Sequence, residues 1–440
     1  MKKPPWQRRR WPASLASALA AALAVASPAG AQLLGGRLGG ALGGVTDALP
    51  ERLPGPRDLT QTLEAATGEA RRLAAQRLIR QHPEAVEADD HGAPVVRGEV
   101  LALSPSPEAL AAAQRAGFAV RGRISAPELG VDSVTLAAPA GVSVREAVRR
   151  LRALDPKGQY DFDHLYQPSG GTAERGAGLV APGRAGIRVG LVDGSVAADH
   201  PALHGVRLTQ RAFAPGGAKV TAHATAVASL LAGSPGGLPR AASGAEVLVA
   251  DVYGPGPAGG SAAAIAQGLA WLTQSRVGVV NISLVGPPNL LLGAAVRGLA
   301  ARGVLLVAAV GNDGPAAPPL YPAAYPGVVA VTGVDARRRV LPEAGRGAYV
   351  AFAAPGAQMA AAAPGGGYST VRGTSFAAPI VAAELAAELP SADPAAAATS
   401  LRRLAAQAQD LGAPGRDPVF GFGLVGFDRR VDPARVAARP

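Results

Sequence analysis

The chain has 440 residues, 48% hydrophobic and 17% charged, which is enough apolar material for large buried cores and excludes a wholly disordered chain. It contains no Cys, so disulfides, thiolate metal sites and thiol catalysis are excluded together. Lys+Arg 43 against Asp+Glu 32 give a net charge of +11, but the basic residues are scattered and aromatic residues are only 4%, so no basic stripe interleaved with stacking rings marks a nucleic-acid groove.

In chain order, Lys2, Lys3 and Arg8 to Arg10 precede an apolar run from Ala13 to Ala26 and a small-residue site at Ala29-Gly30-Ala31. Residues 1–31 therefore read as an export signal, too short to span a bilayer. Arg8-Arg9-Arg10-Trp11 hints at twin-arginine routing, although charge alone accounts for it. The apolar stretch near 290–310 is cut by Arg297 and Arg302, so no transmembrane segment is expected and the mature protein is expected to be periplasmic or secreted. Residues 32–92 read as a linker, Gly-Leu-rich from Gly35 to Gly44, followed by an amphipathic helix with Leu59, Leu63, Ala66, Ala70 and Leu73 on one face.

Residues 93–168 follow a β-α-β-β-α-β order. Strands are predicted at 99–103, 118–124, 133–137 and 160–166. Ser106-Pro107 supplies an N-cap and first-turn proline for one helix, and Ser143 with Glu146 a capping box for the other. That order is a small ferredoxin-like α+β module. Residues 169–180 read as a Gly-rich linker. From 181 to 430, unbroken apolar strands at 187–192, 247–252, 279–284, 304–310 and 328–334 alternate with helices at 224–232, 262–274 and 292–302, which predicts an α/β domain with a parallel sheet buried on both faces. Residues 431–440 are left as a C-terminal tail.

Parallel sheets place chemistry at the carboxyl ends of their strands, and four polar residues fall at such positions. Asp193 ends a buried strand, where a carboxylate is costly unless something uses it; a turn Asp ahead of Gly194 is the plain alternative. His223 opens a helix of small and apolar residues, as a helix-entry His also would. Asn312 follows the strand 304–310, where it can donate an amide hydrogen bond or simply make a turn. Ser375 lies between Gly373-Thr374 and an Ala-rich helix, either as an N-cap or as a nucleophile whose oxyanion the helix N-terminus would favour.

Together these residues supply acid, base, amide donor and nucleophile along one domain, and here the sequence resembles the subtilisin-like serine proteases over roughly 181–424. Gly373-Thr374-Ser375-Phe376-Ala377-Ala378-Pro379 is similar to that family's nucleophile motif, His223 to Ala228 to its histidine block, Val189 to Asp193 to its aspartate strand, and Val307 to Gly314 to its oxyanion strand. The resemblance implies a subtilisin-like parallel sheet flanked by helices, a triad of Asp193, His223 and Ser375, and an oxyanion hole at Asn312. It also implies substrate-flanking residues Gly259, Gly260, Ser283, Leu284, Val285 and Gly311, and a preceding module acting as an inhibitory propeptide. Protein or peptide substrates and no required cofactor follow from it. Calcium is a common structural ligand in that family, but the sequence holds no dense acidic loop of suitable spacing, and no metal ligands are assigned. Three departures stand out: Gly194-Ser195 after the Asp, Ala224 and Ala226 after the His, and Val285 where Gly often follows Ser-Leu. They keep open a catalytically impaired, peptide-binding alternative.

Overall fold

Two sheets of opposite character organise the chain in the computed structural model, which describes residues 56–176, 186–233, 245–430 and 432–433. The predicted signal, the Gly-Leu stretch after it, residues 177–180 of the predicted linker and most of the predicted tail lie outside the described residues. The chain divides at Leu59–Thr60, and only the start of α1 (Pro56–Gln81) is described ahead of that point.

The first sheet contains β1 (Val86–Ala88), β2 (Pro94–Leu103), β3 (Ala119–Ala126), β4 (Val131–Ala137) and β5 (Gln159–His164), with α2 (Pro107–Arg115) and α3 (Val144–Leu154) between strands. Every pairing is antiparallel; β5, β2, β4 and β3 lie side by side in that order and β1 pairs with the start of β2. The two helices start where the capping residues predict: Ser106 Oγ accepts from Ala109 N and Ser143 Oγ from Glu146 N. One sheet face buries Val100, Leu136, Val148 and Leu151. Strand β1 corrects the predicted boundary at residue 93, since three residues with one buried side chain carry no readable period.

The predicted Gly-rich linker is corrected as well. Part of it is β7 (Gly171–Gly176), directly after the two-residue β6 (Gln167–Pro168). Glycines bracket Thr172-Ala173-Glu174-Arg175, which composition alone reads as loose chain, but a partner strand orders them.

The second sheet is seven parallel strands in the order β15-β14-β13-β11-β8-β10-β9. Its members are β8 (Arg188–Asp193), β9 (Arg207–Ala212), β10 (Glu246–Asp251), β11 (Val279–Ile282), β13 (Leu305–Ala309), β14 (Val329–Val334) and β15 (Val350–Pro355), with β12 (Leu284–Val285) set apart from it. Helices α4 (Ala222–Ala232) and α7 (Ala378–Glu388) cover one face with Leu230, Ile380 and Val381, while α5 (Ala262–Gln274) and α6 (Leu290–Ala301) cover the other with Ile265, Leu269 and Val296. The chain adds β16 (Ala357–Ala363) and β17 (Gly367–Arg372), which pairs with β7, and α8 (Pro394–Gln407). The unbroken apolar strands are the buried central ones, as two covered faces require. Edge strand β9, mostly exposed and polar, has no such run.

The module leans its other sheet face on α5 and α6. Leu101, Ile124, Leu129 and Val131 join the core formed by those helices, and a Cβ at Gly298 on α6 would collide with the Leu129 carbonyl. Strand β5 presents acids to both helix starts: Ala263 N donates to Asp163 Oδ1 at 2.9 Å and Leu290 N to Asp161 Oδ2 at 2.7 Å. Asp163 is 2% exposed, and burial, with Glu99 nearby, pushes its carboxyl up to about 7 against the help of the Ala263 amide, Ser261 and His164. Burial also raises Glu99, which Arg121 opposes.

Both carboxyls hold protons more tightly docked than free. Their contribution to docking is therefore complete below about pH 4, and Asp163's is lost as pH rises through about 7. The full chain should unfold at a lower temperature at pH 8.5 than at pH 5.5. Adding Asp163→Asn should shrink that difference, as scanning calorimetry would report.

Candidate active site

Asp193 closes β8, an interior strand between β11 and β10, and is wholly buried. Its Oδ1 accepts from Gly194 N at 2.8 Å and its Oδ2 pairs with His223 Nδ1 at 2.7 Å, so both oxygens of a desolvated carboxylate are occupied. His223 stands in the first turn of α4, whose N-cap Thr221 accepts from Ala224 N. Gly194 permits this approach, because a Cβ there would lie 2.5 Å from the Thr221 methyl. The next residue, Ser195, donates to Asp251 Oδ2 at 2.6 Å, and Asp251 also accepts from Lys219 N. The Gly194-Ser195 departure thus ties the strand end to its neighbour β10 and leaves the Asp193–His223 pair intact. Ala224 and Ala226 are fully buried in α4.

Ser375 lies in a 3-10 turn, Thr374–Phe376, leading into α7. Gly373 enters that turn at φ 136, a backbone angle L side chains rarely adopt. His223 packs 5.6 Å from the Phe376 ring, and its Nε2 is buried with no hydrogen-bond partner among the described residues. Ser375 Oγ is turned elsewhere: it donates to the Ser283 carbonyl at 3.0 Å and lies 2.8 Å from Ser169 Oγ. The serine-to-histidine hydrogen bond that a resting triad implies is therefore replaced by bonds to two serines.

Asn312 and Ser375 N converge on one atom. Asn312 Nδ2 and Ser375 N, the latter at 3.2 Å, both donate to the carbonyl of Ser169. Asn312 is held by Thr374, whose N–H donates to Asn312 Oδ1 at 3.1 Å and whose hydroxyl accepts from Gly311 N. On the far side, Arg71 of α1 pairs with Asp313 at 2.6 Å. Of the predicted flanking residues, Gly311 acts through Thr374.

The others form two walls around residues 165–169. The predicted strand 279–284 breaks at Ser283, and β12 leaves the main sheet to pair antiparallel with β6, Leu284 opposite Pro168 and Val285 opposite Gln167. Ser283 O accepts from Ser169 N at 3.2 Å. Opposite, Gly260 O accepts from Tyr166 N at 2.8 Å, and Leu165 bridges to Ser261. A Cβ at Gly259 would collide with the Tyr253 carbonyl. Tyr166 is fully buried; its hydroxyl donates to Pro287 O at 2.7 Å, and Tyr253 Oη donates to Tyr166 O at 3.2 Å. Burial pushes both phenols well above their usual range and keeps them donors.

Sequence reading missed Ser169, Thr374, Tyr166, Tyr253 and Gly286. Thr374 lay inside the nucleophile motif and could have been found there. Tyr166 and Ser169, at the end of another module, carry no local signal. Among the described residues, no three His, Asp or Glu side chains converge to hold a metal ion.

Residues 184–423 match the family model described as the subtilase family. The minor extracellular protease Epr of Bacillus subtilis (strain 168) is 36% identical over 181 residues, covering 41% of this chain and 28% of its own length. Subtilisin DY of Bacillus licheniformis is 33% identical over 254 residues, covering 56% of this chain and 90% of its own length. The solved structure of fervidolysin from Fervidobacterium pennivorans superposes with a TM-score of 0.65 at 21% identity, over 78% of this chain and 62% of that one, a likeness of fold. With the family model spanning more than half of its residues, the chain belongs to the subtilase family and is a subtilisin-like serine endopeptidase.

Proposed function

We propose that peptide hydrolysis runs through Ser375, His223 and Asp193. Ser375 Oγ attacks the substrate carbonyl, His223 takes its proton and returns it to the leaving amine, and Asp193 fixes the imidazole tautomer and stabilises the imidazolium. Asn312 Nδ2 and Ser375 N would hold the tetrahedral oxyanion. The observation that carries this reading is the pair of donors meeting on one carbonyl beside Ser375. Buried His223 Nε2 supports it, its other nitrogen fixed by Asp193. The chemistry needs no cofactor.

Residues 1–31 act as an export signal in this proposal, giving a secreted or periplasmic enzyme. No helix among the described residues is long and apolar enough to cross a membrane. The module ahead of the catalytic domain is its intramolecular inhibitor, since residues 165–169 fill the cleft between Gly260 and Leu284. A second reading, a peptide-binding protein that does not cut, draws on Ser375 Oγ being bonded to Ser169 and Ser283 in place of His223.

A covalent serine-hydrolase probe decides between them. Wild type should label and hydrolyse casein, and Ser375→Ala should do neither while keeping its circular dichroism; an unlabelled wild type would favour the binding protein. Asn312→Ala should lower kcat by about 10²–10³ with a smaller change in KM, a magnitude taken from subtilisin and not from this structure. Replacing Gly298 by Val, which strikes the Leu129 carbonyl, should loosen the module and hasten the appearance of caseinolytic activity in the purified full chain.

A further inference from the structure

A second carboxylate is buried beside the first. Asp251 closes β10 as Asp193 closes β8; the two residues are register partners across the parallel pairing, and both are fully buried. Asp251 takes no part in the chemistry proposed above, yet a buried carboxylate is costly unless its oxygens are met. Four donors meet them. Oδ2 accepts from Ser195 Oγ at 2.6 Å and from Lys219 N at 2.7 Å, and Oδ1 accepts from Tyr253 N at 3.0 Å and Gly254 N at 3.3 Å.

The two donors on Oδ2 come from the two chain segments that place the histidine. The backbone of Ser195 holds the segment ahead of α4: Ser195 N donates to Lys219 O at 2.9 Å, and Thr221 N donates to Ser195 O at 3.0 Å. Thr221 is the N-cap of α4, so His223 stands two residues beyond that join. Further along, Ala197 N donates to Thr225 Oγ1 at 3.1 Å, and that hydroxyl donates to Thr221 O at 2.9 Å. One carboxylate oxygen therefore fixes both sides of the join, the end of β8 through a hydroxyl and the histidine segment through an amide. Both bonds are as short as an ionised acceptor makes them. Gly194 has no side chain to supply such a tether; the hydroxyl one place later is what reaches β10.

Resting on the protease reading above, we propose that Asp251 is a positioning residue for His223, acting through Ser195 and the Lys219 amide. The tether touches no reacting atom. It holds the start of α4 at the end of β8, so that His223 Nδ1 stays 2.7 Å from Asp193 Oδ2 while Nε2 serves Ser375. Proton transfer needs its heavy atoms within hydrogen-bond reach, so a slackened α4 start costs turnover. The other oxygen serves a different purpose: Oδ1 holds Tyr253 and Gly254 on the cleft wall. Removing the Ser195 hydroxyl therefore loosens the histidine side alone, whereas altering Asp251 disturbs both.

The test is steady-state hydrolysis of a chromogenic peptide anilide, with enzyme concentration set by titrating Ser375 with the serine-hydrolase probe so that unfolded protein is not counted. Ser195→Ala should lower kcat by about tenfold and leave KM nearly unchanged, the loss expected of a misplaced base. Asp251→Asn should lower kcat at least as far and raise KM. Ser195→Ala added to Asp251→Asn should lower kcat no further, because the hydroxyl acts through the carboxylate. The low-field proton NMR signal of the His223–Asp193 hydrogen bond should shift or broaden in both single variants. A wild-type kcat per titrated site in Ser195→Ala, even with a lower melting temperature, makes the pair a stability device and overturns the proposal; fully multiplicative losses in the double variant do the same. Should Asp251→Asn fail to fold, Ser195→Ala and its NMR signal decide. A wild type that neither labels nor cuts overturns the protease reading and this proposal together, whereas an active wild type with unchanged variants overturns only the role of Asp251.

Discussion

A fully buried carboxylate at the end of an interior strand is the constraint around which this protein is arranged. Asp193 is fully shielded from bulk solvent, and a lone buried charge costs several kcal/mol, on the order expected for an unpaired ion in a protein interior. Its two oxygens are met by the Gly194 amide and the His223 imidazole. That demand brings the start of α4 to the end of β8, and Gly194 is the residue that leaves room for it. Thr221 caps the helix at the same point, so the histidine is fixed along its backbone as well as through its ring.

Backbone does most of the recognition in the cleft. Ser283 O, Gly260 O and β12 hold residues 165–169 through main-chain bonds, which are indifferent to side-chain identity. Tyr166 is the side chain of that segment most fully enclosed by the cleft. Val285 borders the cleft opposite Gln167, so its branched side chain meets the residue two before Ser169. The departure from Gly at that position thus falls beside a different part of the occupying segment from the pocket that holds Tyr166.

The module and the parallel-sheet domain share a core and share charges. Leu101 and Leu129 enter the apolar layer of α5 and α6, while Asp161 and Asp163 sit on the starts of those helices. Dispersion and desolvation hold the surfaces together at any pH, whereas Asp163 makes part of the attachment titratable. Burial that raises the Asp163 carboxyl to about 7 places that change in a range where small shifts in acidity alter the attachment.

Local sequence determined most element types and singled out the candidate reacting groups. Ser106 and Ser143 start helices because a hydroxyl satisfies a free amide within four residues, and Val189 to Val192 reads as a buried strand because both its faces need apolar side chains. Asp193, His223, Asn312 and Ser375 stood out at strand ends and helix starts for the same reason. The tertiary structure alone decided that the Gly-rich stretch after 168 is ordered, because its partner β17 lies about two hundred residues away in the chain. It alone decided that Ser169 lies on Ser375 and Asn312, since those bonds join two domains and leave no periodicity or cap in either. Patterns report what a residue needs from its near neighbours; which distant backbone supplies the rest is settled only when the chain has packed.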